Sequence, residues 1–120
     1  MRSTGGRLIY LCSAMALAAI ALASLVPTQW ELRLGLHWLV EHFVAYFAVT
    51  AIVCIAWPRP FVVATVLIVL AGMLEALQGL TVDRTPDLLT ALSGTAGVLS
   101  AALLAWLVLR IGDLNGVGSR

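Results

Sequence analysis

His42, Tyr46, Glu75, Gln78, Arg84 and Asp87 are the residues of this chain whose types and spacing could do chemistry. A carboxylate beside an imidazole moves protons near neutral pH. An arginine takes a phosphate or carboxylate through a bidentate contact. Tyr46 follows His42 by four residues and Gln78 follows Glu75 by three, so in helices each pair shares a face. The same types also have plain structural uses. Glu75 would pair with Arg84 or His42 to hold helices together, and His42 would bond a backbone carbonyl. Tyr46 would be a buried aromatic with a bonded hydroxyl. Gln78 would link two helices, Asp87 would sit favourably at a helix N-terminus, and Arg84 would be a loop charge. No residue is singled out as catalytic, and no CxxC or HExxH spacing exists, so neither a metal nor a cofactor is expected.

The elements that must position these residues are apolar. The 120-residue chain is 62% hydrophobic and 11% charged, against about 25% charged in a soluble domain. A net charge of +1 points to no nucleic-acid partner. All seven basic residues are Arg, the usage of a GC-rich bacterial genome. Cys12 and Cys54 fall inside apolar runs and read as small hydrophobes.

A membrane crossing needs about 20 apolar residues as a helix. Four runs qualify: Leu8 to Val26, Leu36 to Trp57, Phe61 to Leu80 and Leu88 to Leu109. They are too long and continuous for barrel strands, so the expected fold is all-α, a polytopic bundle of four transmembrane helices. Residues 1–7 form a cytoplasmic N-terminus, 8–111 the transmembrane domain and 112–120 a flexible cytoplasmic tail. Pro27 closes the first span, Pro58-Arg59-Pro60 reverses the chain, and Thr85 as N-cap with Pro86 after it starts the fourth helix. Arg2, Arg7 and the Ala21-Leu22-Ala23 run resemble a signal peptide, but the run exceeds the usual apolar stretch of about 7–15 residues. An uncleaved first span is expected.

Arg2, Arg7, Arg59, Arg110 and Arg120 fall on one side of this topology, Arg33 and Arg84 on the other. The excess of Arg marks the cytoplasmic side, giving both termini inside a bacterial inner membrane. Glu75 lies 14 residues after Phe61, roughly 21 Å along the helix. That depth brings it towards the outer end, where His42, Gln78, Arg84 and Asp87 also lie. An outward-opening polar pocket is therefore expected. Glu31, Arg33, His37, Glu41 and Asp83 read as solvated rim residues. Thr90, Ser93, Gly94, Gly97 and Ala101 set small residues at helical spacing for close packing, with Gly72 and Gly79 of the third span on the same contact. Whether that contact lies within one chain or makes a homo-oligomer is open.

At His42-Phe43 with Tyr46, at Glu75-Ala76-Leu77-Gln78 and at Arg84-Thr85-Pro86-Asp87 before a Gly-containing helix, the chain resembles the VanZ-like family of small bacterial membrane proteins. The resemblance runs from Leu36 to Ala102. It implies a polytopic cell-envelope protein, linked by its family name to resistance to the glycopeptide teicoplanin. Where the family often carries Asp-Lys before the His, this chain has Trp38 and Leu39. Where it often carries Asp and then Asn after the loop Arg, this chain has Thr90 and Gly94; Gly97 matches a family glycine.

Two further functions stay open beside a non-catalytic site for membrane lipid or a lipid-linked or glycopeptide ligand. One is an enzyme acting on a lipid head group, with Glu75 or His42 as base. The other is a proton-coupled exporter with Glu75 as coupling carboxylate. Four spans and this length resemble small multidrug transporters, but those carry their essential Glu in the first span, which here is uncharged.

Overall fold

A computed structural model describes residues 4–25, 35–81, 85 and 87–117. They form four helices: α1 Thr4–Leu25, α2 Trp38–Ala56, α3 Pro60–Gln78 and α4 Leu88–Val117. All four are long and apolar enough to cross a membrane, and the described residues contain no strand. The expected all-α bundle of four membrane-spanning helices is the observed fold.

Helix ends follow from local chemistry. Gly35 has φ 77° and turns the chain into α2, a conformation that glycine adopts without a Cβ clash. The His37 imidazole caps α2 by accepting the Leu39 N–H, and the Glu41 carboxylate accepts the Leu36 N–H at 3.2 Å. These two expected rim residues thus serve the first turn of α2. Pro60 opens α3 at a position where its missing N–H costs nothing.

Helix α4 starts at Leu88, where the expected fourth span begins, but its cap is not the expected one. The Asp87 carbonyl accepts the Ala91 N–H at 3.1 Å and its carboxylate accepts the Leu89 N–H at 3.0 Å. Asp87 is therefore the N-cap, not Thr85, because an ionised acceptor two residues before Leu89 satisfies a donor that Thr85 is too early in the chain to reach. The helix also runs on to Val117, past Leu109 and through 112–117 of the expected tail. No proline interrupts that stretch, and its two glycines, Gly112 and Gly116, cost only about 1 kcal/mol each. At 30 residues α4 is about 45 Å long.

α2 and α3 each touch all three other helices, while α1 and α4 do not touch each other among the described residues. Leu67, Val98 and Thr50 are the largest fully buried side chains. Around them pack Val49, Val53, Val63 and Ala102. Leu11, Met15, Val66, Met73 and Leu103 point outward, as helices surrounded by lipid require.

The α2–α4 seam is the tightest. A Cβ on Gly97 would overlap the Phe43 carbonyl oxygen, and one on Gly94 would stand 3.0 Å from the Tyr46 ring. The Ser93 hydroxyl donates to the Leu39 carbonyl across the same seam. The small residues of α4 thus pack on α2 within one chain. Gly72 does not join this contact, since a Cβ there would meet nothing within 4 Å. It lies on an outward face of α3.

A candidate polar cleft at one end of the bundle

The antiparallel order brings the C-terminal ends of α1 and α3 beside the N-terminal ends of α2 and α4. Polar side chains from all four helices meet there. Ser24, His42, Tyr46, Glu75, Gln78 and Thr90 line a partly enclosed cleft with Ala71, Leu74, Ala91 and Gly94. It measures about 270 Å³ counting its open mouth, and its enclosed part is about the size of one water molecule.

The α3 residues Glu75 and Gln78 share a face but bond different neighbouring helices. Helix ends leave N–H groups without partners at the N-terminus and C=O groups without partners at the C-terminus. The Glu75 Oε1 accepts the backbone N–H of Asp87, the cap of α4, at 2.7 Å. The Gln78 Nε2 donates to the Ser24 carbonyl, in the last turn of α1, at 2.8 Å. One residue needed an acceptor and the other a donor, which explains a carboxylate at 75 and an amide at 78. The Glu75 charge also sits at the positive end of the α4 dipole.

On α2, His42 Nδ1 lies 3.0 Å from the Trp38 carbonyl one turn back. The Tyr46 ring lies against Gly94, where no side chain intervenes, and its hydroxyl bonds Ser24. The Thr50 hydroxyl donates to the Tyr46 carbonyl at 2.6 Å. On α4, the Thr90 hydroxyl donates to the Asp87 Oδ2 at 3.3 Å.

Of the residues singled out in the sequence, His42, Tyr46, Glu75 and Gln78 line the cleft, and Asp87 is bonded to Glu75. Arg84 lies outside the described residues, as do Glu31, Arg33 and Asp83. Thr90 and Gly94, expected to serve packing, also line the cleft, whereas Ser93 and Gly97 serve the α2 seam. His42 and Glu75 border the same space but hydrogen-bond to other groups, the Trp38 carbonyl and the Asp87 N–H. Ser24 was missed. Its signal was the lone hydroxyl in the last turn of an apolar span, one residue before the helix ends. Among the described residues no three His, Cys, Asp or Glu side chains gather as metal ligands would.

Fold and site together define a four-helix membrane-spanning bundle with a polar cleft at one end. The chain matches no protein-family model, no curated protein and no solved structure.

Proposed function

We propose that the chain is a VanZ-like integral protein of the bacterial cell envelope, with both termini in the cytosol and the polar cleft opening outward. In this reading the cleft binds the polar part of an envelope lipid, a lipid-linked glycan or a glycopeptide, and breaks no bond. Arg84, six residues after Gln78 in the sequence, would take an anionic group of that ligand. One observation carries the reading: polar side chains from four helices border one cleft at one end of the bundle. Polar groups at membrane depth are expensive, and where they gather they mark ligand or ion paths. The sequence blocks that resemble the family are also the blocks that supply His42, Tyr46, Glu75 and Gln78.

Two measurements test it. Expression in a teicoplanin-susceptible bacterium should raise the inhibitory concentration, and equal susceptibility with and without the chain would remove the glycopeptide arm. The chain purified from bacterial membrane should retain an envelope lipid in native mass spectrometry. Loss of every lipid under mild detergent would remove the lipid arm.

A further inference from the structure

The Ser24 and Thr90 hydroxyls and the His42 imidazole N–H that border the cleft are committed to protein acceptors. The Ser24 hydroxyl donates to the Ile20 carbonyl at 2.8 Å. The Thr90 hydroxyl donates to Asp87. His42 Nδ1 faces a carbonyl oxygen, which can only accept, so Nδ1 carries a proton, and a ring holding that one proton keeps a lone pair on Nε2. One amide N–H of Gln78 is spent on the Ser24 carbonyl.

The acceptors are not matched in the same way. Glu75 Oε1 is used by Asp87 and Gln78 bonds through Nε2, while Glu75 Oε2, Gln78 Oε1 and His42 Nε2 receive no hydrogen bond among the described residues. All three residues line the cleft, and Gln78 is only 6% exposed. Even with the Tyr46 hydroxyl and the second Gln78 N–H counted as donors, lone pairs outnumber protons there, and one acceptor is a carboxylate.

We infer that the cleft takes a primary ammonium group, held by Glu75 Oε2, Gln78 Oε1 and His42 Nε2. This rests on the ligand-binding reading above and names the part of the ligand that enters. An ammonium has three donors and no acceptor, which complements the surplus. Its charge is opposite to that of Glu75, and its size matches the enclosed space. A phosphate or carboxylate oxygen would instead meet lone pairs and negative charge. A trimethylated ammonium offers no N–H and is too large for the enclosed part. The ammonium can come from an aminolipid head group or from a soluble primary amine.

The test compares phosphatidylethanolamine, phosphatidylcholine and phosphatidylglycerol bound to the full chain in native mass spectrometry, with ethanolamine and N-acetylethanolamine as soluble probes. A polyprenyl phosphate serves as an anionic envelope lipid. Preference for phosphatidylethanolamine by about tenfold or more, as a charge-assisted bond gives, supports an aminolipid source, with the preference lost in Glu75→Gln. Equal retention of the three lipids together with binding of ethanolamine but not its N-acetyl form supports a soluble amine. Preference for phosphatidylglycerol, or equal retention with no amine bound, overturns the inference. The lipid ranking is read on the unaltered chain, so it decides the matter even where the variant fails to fold. If the polyprenyl phosphate is held equally by the unaltered chain and Glu75→Gln while no amine preference appears, the ammonium site falls and the ligand-binding reading stands. If nothing is held, both fall.

Discussion

The Glu75 carboxylate accepts the backbone N–H of Asp87 at 2.7 Å, so a residue of α3 completes the N-terminus of α4. In a capping box this bond is made by a Glu or Gln three residues after the cap. Here that position is Thr90, whose shorter hydroxyl donates to Asp87 instead. The missing half of the box comes from the neighbouring helix and ties the two helices at their ends. Glu75→Gln keeps an oxygen for the Asp87 N–H and should lose only the charge at the helix dipole, about 0.3–1 kcal/mol. Glu75→Ala leaves the N–H without its acceptor and should cost about 1–3 kcal/mol. Unfolding of the two variants in the same detergent separates them. Equal losses would mean that the bond does not hold α4.

Asp87 should behave as the cap and Thr85 should not. Asp87→Ala should destabilise by about 0.5–2 kcal/mol and Asp87→Asn by less, because an asparagine oxygen still accepts. Thr85 is exposed and lies outside the helix, so Thr85→Ala should change stability little. Amide exchange at Leu89 provides the local readout. It should speed up in Asp87→Ala and stay unchanged in Thr85→Ala. The reverse pattern would move the helix start back to the position suggested by Thr85-Pro86.

The two glycines Gly72 and Gly97 should respond in opposite directions. A Cβ on Gly97 would overlap the Phe43 carbonyl oxygen, so Gly97→Ala must push α2 from α4 and should cost about 1–3 kcal/mol. Gly72 faces open space, and replacing a helix-interior glycine by alanine there should add up to about 1 kcal/mol. Thermal unfolding of the two single variants checks the pair. Destabilisation by Gly72→Ala would place an unseen neighbour on that face of α3.

These contrasts show how far the sequence was readable. Run length and hydropathy gave the number and order of the helices, because a membrane-crossing helix needs little more than length and apolar content. The same order sets the ends of successive helices side by side, which is why His42 and Glu75 could be assigned to one end from spacing alone. Partner choice was not readable. Gly72 and Gly97 look alike as letters, and only rotation about the helix axis puts one on α2 and the other outward. The partner of Glu75 was expected among charged side chains, yet it is a backbone N–H, a group that every residue except proline carries. Ser24 escaped for a related reason, since its carbonyl rather than its side-chain type receives Gln78. The long α4 exceeded its apolar run because a helix continues through polar and charged residues such as Arg110, Asp113 and Asn115 when no proline stops it.

Gln78 should couple α3 to α1 without affecting α4. Its amide donates to the Ser24 carbonyl while Glu75, on the same face, serves α4. Gln78→Leu removes the donor and leaves a carbonyl at the end of α1 without it. The expected cost is about 1 kcal/mol, the usual worth of an interhelical hydrogen bond in a membrane. Amide exchange distinguishes the two links. Gln78→Leu should loosen the last turn of α1 and leave Leu89 protected, while Glu75→Ala should do the opposite. Loosening of both ends by either variant would mean that the cleft acts as one cooperative unit rather than as two separate caps.

Accessibility tests the orientation assigned to the cleft. With Cys12 and Cys54 replaced, single cysteines at positions 42, 78 and 87 should react with a membrane-impermeant thiol reagent added outside intact cells. A cysteine at Gly116, at the far end of α4, should react only after the membrane is opened. His42 and Asp87 are partly exposed, whereas Gln78 is buried against α1. Positions 42 and 87 should therefore label faster than 78. Labelling of Gly116→Cys from outside with protection of 42 and 87 would invert the topology, and the cleft would then face the cytosol.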